Sequence, residues 1–453
     1  MKREHLASRL GFILLSAGCA IGLGNVYKFP YVAGQNGGAI FVLIYLGCLL
    51  LLGLPVMTME FSMGRAAQKS PIRMYQVLKP GSKWGIHGWL CLAGNVLLLM
   101  CYCTIAGWLL QYFVDTAAGR FEGLDAAAVS SVFDDVTTNT GSMTAYTVLV
   151  VALSTVVCSF SLQNGLERVT KWMMLALLAI MVVLAFNSCM LPGGADGLKF
   201  YLLPSWERFS EVGFANVIVA AMNQSFFSLS LGIGAMAIFG SYLGKERTLM
   251  GEAVNVVLLD TFVAFTAGLI IFPASTAFGV KVDSGAPLLF ITLPNIFNDM
   301  AGGRIWGSLF FIFMSFAALS TVFAVFENIV SCVRDLTGWE RRKTSCVTGL
   351  ALAVLCMPCV LGLTLWSEVT IMGMSIMDFE DFLVNDLLLP LGSLIFTVFC
   401  VCRYGWGWKN FVAEADQGKG LKVPGWLRLY MTWVVPVIIA FIFCFGLYEL
   451  FTE

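Results

Sequence analysis

Gly18-Cys19-Ala20-Ile21-Gly22-Leu23-Gly24-Asn25 places three glycines and an asparagine inside an otherwise apolar segment running from about Leu10 to Gly34. That segment is long enough to span a bilayer. Gly18 lies roughly 12 Å along it at ~1.5 Å per residue, near the middle of a ~30 Å hydrocarbon core. Glycine weakens a helix where no water can replace its hydrogen bonds. Broken backbone at that depth survives only where it is buried in protein or lines a cavity. Freed carbonyls can hold a cation there, and the freed N–H groups of the next half-helix can hold an anion. Close helix packing is the competing reading for a lone segment of this kind.

The rest of the chain favours the break. Its 453 residues are 58% hydrophobic and 12% charged, with a mean hydropathy of +0.84. No soluble domain of this size hides so much apolar surface, so the chain reads as a polytopic membrane protein. Eleven apolar stretches are long enough to cross: 10–34, 38–63, 86–118, 143–160, 165–190, 212–240, 251–279, 304–335, 345–366, 380–402 and 427–448. The first is too long for a signal peptide. With the N-terminus inside, 21 of the 27 Lys and Arg residues fall on the inner side. The basic bias therefore predicts an inside N-terminus and an outside C-terminus. Short loops without glycosylation sites suit a bacterial plasma membrane, and the sequon Asn223-Gln224-Ser225 falls within a span.

Several chemistries are disfavoured. The 14 cysteines scatter mostly through spans and read as small apolar fillers; Cys356-Met-Pro-Cys359 has redox spacing but sits in a span. His5 and His87 are the only histidines, far apart in sequence. There is no phosphate-binding loop and no serine–histidine or histidine metal motif, so the chain is not read as an enzyme. The net charge of −1 points to no nucleic-acid partner.

The sixth stretch repeats the opening theme, with Ser225-Phe-Phe-Ser-Leu-Ser-Leu-Gly-Ile-Gly234 in the centre of an apolar run. Interruptions at matching places of two five-span sets point to a transporter site between inverted repeats. This predicts an all-α membrane protein of eleven helices with a five-plus-five inverted repeat, broken in helices 1 and 6. Residues 1-203 form the first repeat with its outer loop, 204-402 the second, and 403-453 an inner loop with helix 11.

Arg9-Leu-Gly-Phe-Ile, Gly22-Leu-Gly-Asn25, Lys28-Phe-Pro30, Asn36-Gly-Gly38 and Glu60-x-x-x-Gly64-Arg65 resemble the neurotransmitter:sodium symporters, in particular the prokaryotic eleven-span branch. The resemblance covers nearly the whole chain. It implies two sodium ions carried with an amino acid. One ion would be held by the carbonyl of Ala20 and the side chains of Asn25, Ser228 and Asp260, together with the substrate carboxylate. The other would be held by the carbonyls of Gly18, Ile21 and Ala317 and the hydroxyls of Ser320 and Thr321. Asp260 stands out on physical grounds too, because a carboxylate in mid-span is expensive. Ser320 and Thr321 taken alone read equally well as hydroxyls bonded to their own helix turn.

The resemblance also implies a substrate pocket. The N–H groups of Leu23 and Gly24, with the Tyr102 hydroxyl, would meet a carboxylate. Ala20, Gly22, Ser228 and Thr321 would lie beside the head group, and Cys19, Leu98, Phe227, Ser230, Ile233, Ala324 and Val325 would form the wall. Monoamine carriers of the family have aspartate where Gly22 stands, and γ-aminobutyrate carriers tend to have glycine where Ser230 stands. Both positions point to an α-amino acid, and the wall to an apolar side chain, aromatic ones included. In chloride-dependent relatives the anion pocket matches Tyr45, Gln224 and Ser228 plus an asparagine and a serine. Here the last two are Asp260 and Ala264, which predicts chloride independence and leaves proton antiport open.

Arg3 with Asp335, assisted by Ser241 and Tyr242, would close the inside, and Lys28 with Asp381 the outside, above Phe227. Three departures stand against the family pattern. Leu6 replaces a tryptophan, Tyr27-Lys28 replaces Trp-Arg, and Leu175 stands ten residues after Gly165 where many members have proline. These leave a membrane amino-acid sensor as the alternative to transport; a channel is disfavoured by closure at both faces. Partners reduce to an amino acid and the lipid bilayer, with monomer and homodimer both open.

Overall fold

Nine continuous helices of the computed structural model are long and apolar enough to cross a bilayer, within the described residues 4–279 and 287–452. They are Ala39–Ala67, Gly85–Ala118, Thr140–Ser159, Gln163–Cys189, Leu249–Ala277, Gly303–Thr337, Arg341–Leu363, Ile376–Val401 and Leu427–Phe445. A further crossing is the pair Arg9–Ala20 and Gly24–Gln35, bent by 57° at its break. Between Gln163–Cys189 and Leu249–Ala277 lies a second interrupted helix, Phe214–Ser228 and Ala235–Gly240, whose halves are short. Taken as the sixth, it gives the spans the order expected from the sequence. The described residues contain no β-strand, only isolated bridges such as Arg247 with Lys419.

The third and eighth spans, Gly85–Ala118 and Gly303–Thr337, are the longest helices, and they pack along each other through the centre. The eighth is buried almost throughout, and its small Ala317, Ala318 and Ala324 admit the first span closely. The outer helices instead expose Trp172, Phe186, Leu350, Val354, Trp433 and Phe441. So much apolar surface would be ruinous in water, and it marks the lipid-facing belt.

Six helices contain one widened turn: Gly24–Lys28, Leu49–Gly53, Gln163–Glu167, Leu288–Thr292, Leu383–Leu388 and Tyr430–Val434. In five of them a proline stands at the second position beyond: Pro30, Pro55, Pro294, Pro390 and Pro436. A proline ring clashes with the carbonyl four residues back and cannot donate to it. Opening the preceding turn relieves that clash without ending the helix. The exception, Gln163–Glu167, begins the fifth span and has Val169 at the second position beyond. Beyond this turn, Arg168–Cys189 runs as one uninterrupted helix.

Candidate functional site

The first helix ends at Ala20, and Ile21 takes an extended ψ of 93°. The outer half restarts when the N–H groups of Asn25 and Val26 turn back to the Gly22 carbonyl, at 3.2 and 3.3 Å. Gly22 cannot be larger: a Cβ there would lie 2.5 Å from Tyr102 Oη and 2.6 Å from Thr321 Oγ1. In the sixth span, residues 229–234 unwind, with φ of +50° at Ser230, +96° at Gly232 and +73° at Gly234. Left-handed serine is strained, and surrounding contacts hold it there. Glu60 accepts from the Gly232 N–H at 2.7 Å, Asn95 donates to the Ile233 carbonyl at 2.9 Å, and Ser230 Oγ donates to the Cys19 carbonyl at 3.2 Å. That last bond joins the two breaks.

Around Thr321 Oγ1 converge four carbonyl oxygens, those of Gly18 (3.2 Å) and of Cys19, Ile21 and Ala317 (each 3.4 Å). One hydroxyl proton can serve only one of them. Ser320 bonds to the Ala317 carbonyl at 2.9 Å, the in-helix bond that its sequence also allows. Such a cluster of oxygens in a dry interior suits a small hard cation. A second oxygen cluster surrounds Asp260. Its Oδ1 accepts from Asn25 Nδ2 at 2.7 Å and its Oδ2 from Ser228 Oγ at 2.7 Å. Tyr45 donates to Ser228 at 3.0 Å, and Gln224 donates to the Gly24 carbonyl at 2.8 Å. Asn25 Oδ1 is buried without a partner, an acceptor free to meet a cation. Ala264, one helix turn beyond Asp260, is fully buried and its side chain offers no donor.

Between the clusters lies a cavity of about 20 Å³ bordered by Cys19, Ala20, Gly24, Leu98, Tyr102, Phe227, Ser230, Ile233, Thr321, Asn385 and Leu389. Most of the residues expected to meet substrate border it, but Gly22, Leu23, Ser228, Ala324 and Val325 do not. Ala324 and Val325 are fully buried among the packed faces of the eighth span. The tenth span supplies Asn385 and Leu389 instead. Their signal was an Asn385-Asp386 pair within an apolar run, a polar intrusion of the kind that marks function in a membrane. The Tyr102 hydroxyl accepts from the Leu23 N–H at 2.7 Å, which leaves its own proton to donate. Leu23 itself faces an outer vestibule of about 360 Å³, and Phe227 and Tyr102 border both this vestibule and the small cavity.

The closures depart from expectation more than the centre does. Lys28 and Asp381 border the same vestibule but form no ion pair; Lys28 Nζ sits 4.2 Å from the centre of the Phe227 ring. The shorter reach of lysine and its lack of a planar fork account for the difference from an arginine. On the inside, Arg3 lies outside the described residues. Asp335 accepts from the Ser70 N–H at 2.7 Å and lies 3.6 Å from Lys69. Tyr242 donates to Glu327 at 2.7 Å, while Ser241 bonds back to the Ile238 carbonyl. Sequence reasoning missed the group that dominates here. Glu4 pairs with Arg334 at 2.9 Å and lies 3.7 Å from Arg341, which clamps the fully buried Glu327 through both terminal nitrogens. Beside them Glu167 accepts from Ala7 N, Ser8 N and Ser8 Oγ at 2.8–3.2 Å. A carboxylate at position 327, inside a span, was the available signal.

A helical membrane bundle with two facing breaks, paired oxygen clusters and a small cavity between closures on both sides defines a solute carrier. The sodium:neurotransmitter symporter family matches residues 3–122 and 126–453. The uncharacterised sodium-dependent transporter YhdH of Bacillus subtilis is 34% identical, over 98% of this chain and 97% of its own length. An uncharacterised sodium-dependent transporter of Methanocaldococcus jannaschii is 30% identical, over 97% and 89%. Among solved structures, MhsT in complex with L-phenylalanine superposes with a TM-score of 0.88 at 35% identity, over 98% of this chain and 99% of that one. The chain belongs to the sodium:neurotransmitter symporter family. It is a multi-pass membrane protein that transports a small molecule with sodium, and not an enzyme.

Proposed function

We propose that the protein imports neutral hydrophobic, including aromatic, L-amino acids together with two sodium ions and without chloride. The observation that carries this reading is the cavity: a small head-group position at Gly24 beside a tail wall of Leu98, Ile233, Phe227 and Leu389. The Tyr102 proton and the Gly24 backbone suit a carboxylate, and the apolar wall desolvates a hydrocarbon side chain. One ion would sit among Asn25 Oδ1, Ser228, Asp260 and the Ala20 carbonyl; the other among Thr321, Ser320 and the carbonyls of Gly18, Ile21 and Ala317. The fixed Asp260 carboxylate would balance the first charge, and a second anion beside it would be repelled at low dielectric. An empty carrier keeps that carboxylate, so its protonation on return would give proton antiport.

The two halves, 1-203 and 204-402, would rock about this site as inverted repeats, in a plasma membrane with the N-terminus inside and the C-terminus outside. Two charges crossing ~100 mV release about 4.6 kcal/mol. With a tenfold sodium gradient the total reaches roughly 7 kcal/mol, enough for about a 10⁵-fold gradient of a neutral substrate. The ion-paired inner closure supports a transporter rather than a sensor with degraded gates.

Uptake into proteoliposomes tests the reading. Labelled leucine, phenylalanine or tryptophan should enter under a sodium gradient and compete with one another, whereas glutamate, lysine, dopamine and γ-aminobutyrate should compete poorly. Uptake that persists when potassium replaces sodium would sink the coupling. Gluconate in place of chloride should leave the wild type unchanged. Asp260→Asn should lose activity or regain it with chloride; a wild type that stops without chloride would refute the built-in counter-charge.

A further inference from the structure

The widened turn Leu383–Leu388 of the tenth span brings Asn385 to the central cavity. Asn385 is only 8% exposed, and neither its Oδ1 nor its Nδ2 has a hydrogen-bond partner. A primary amide has two donors and two acceptor lone pairs, and leaving all of them unpaired in a dry site is costly. The other polar side chains on this cavity are engaged. Ser230 bonds the Cys19 carbonyl, Thr321 lies among the carbonyls of the first span, and Tyr102 accepts from Leu23. Among the described residues on this cavity, Asn385 is the polar side chain with no hydrogen bond at all, and it shares the lining with the apolar Ile233, Phe227 and Leu389.

A substrate whose head lies at Gly24 and Tyr102 points its tail toward that apolar wall. We propose that Asn385 is a specificity-determining residue: its unpartnered amide hydrogen-bonds a polar atom on the substrate's side chain, favouring neutral aromatic amino acids with a ring donor, tryptophan or tyrosine, over phenylalanine. This rests on the amino-acid reading above. A site built to hydrogen-bond a side-chain N–H or O–H discriminates strongly against an analogue lacking it, because the buried amide is then left unpaired. An apolar wall alone distinguishes such analogues weakly. The inference thus narrows the substrate from hydrophobic amino acids in general to those with an amphipathic ring.

Sodium-dependent competition against labelled phenylalanine, in the full-length protein reconstituted in proteoliposomes, provides the test. In wild type, tryptophan or tyrosine should compete roughly tenfold better than unlabelled phenylalanine. Asn385→Leu and Asn385→Ala should bring that ratio close to one. The ratio is internal to each protein, so differences in expression cancel. A comparison that needs no variant is tryptophan against 3-benzothienylalanine, which has sulfur in place of the indole N–H. Wild type should prefer the former by roughly tenfold if the better-bound ring is indole, and tyrosine over O-methyltyrosine if it is phenol. Unchanged ratios in the variants, or equal competition by both members of each analogue pair, overturn the proposal and leave the amide to a buried water. Failure of the wild type to take up any of these amino acids overturns the functional reading as well.

Discussion

The two closures of the central cavity are built from different physics. Outside, two aromatic rings, Phe227 and Tyr102, stand between cavity and vestibule, with the Lys28 ammonium 4.2 Å from the centre of the Phe227 ring. Inside, Glu4, Arg334, Arg341, Glu327, Tyr242 and Ser331 form a continuous set of ion pairs and hydrogen bonds, and Glu167 holds the residues that lead into the first helix. A cation on an aromatic face contributes about 0.5–1 kcal/mol where water reaches it. Breaking a buried ion pair by removing one partner costs about 3–5 kcal/mol. The asymmetry teaches that the outer side opens on thermal fluctuation, while the inner side needs a specific rearrangement before it yields.

The largest effect is expected at Arg341. Arg341→Gln strands the buried Glu327 and also releases the Cys158 and Phe160 carbonyls that Arg341 caps. A cysteine placed at Leu243, on an inner cavity of about 610 Å³, should then be alkylated on the order of a hundredfold faster. Glu167→Gln comes next. It weakens three bonds to Ala7 and Ser8 at a cost of about 1–3 kcal/mol, and alkylation of the same cysteine should rise by about tenfold or more.

Acid probes Glu4. Burial pushes its carboxyl up, but the Leu162 N–H, Arg341 and Arg334 outweigh burial and hold it below the usual range. A depressed pKa means that the pairing is fully in place above the ordinary glutamate value of ~4.3 and is lost as pH falls through the lower folded value. Inner alkylation measured with a pH-insensitive reagent should therefore rise only at the acid end of that window, and Glu4→Gln should remove the step. The smallest effect is expected outside. Lys28→Met should change substrate association by no more than about fivefold, because it removes one contact that water reaches. If Lys28→Met matched Arg341→Gln in magnitude, the contrast between the closures would be lost.

How much of this was legible follows from where each signal sits in the chain. The break of the first span is written in Gly18, Gly22 and Gly24, and the residues that gather around it carry oxygen at positions a resemblance can locate: Asn25, Ser228, Asp260 and Thr321. Asn385 and Leu389 were missed because the tenth span reads as an ordinary apolar helix until its widened turn re-aims them. Glu4 and Glu167 lie 163 residues apart and converge only through the packing of the first helix on the fifth span. The pairing of Lys28 with Asp381 was the reverse case, a plausible charge match that a shorter side chain resolved against a ring instead.

The prolines that follow widened turns have a consequence for how the chain keeps count. An ordinary helix advances ~100° per residue, so one extra residue in a turn shifts the azimuth of everything beyond it by about that angle. In the tenth span the extra residue lies between Asp381 at the vestibule and Pro390 below. Replacing Pro390 with alanine would let the turn tighten, and Asp381 and Asn385 would swing around the helix axis relative to Ser393 and Phe396. A ring of five atoms thus sets the compass bearing of side chains it never touches.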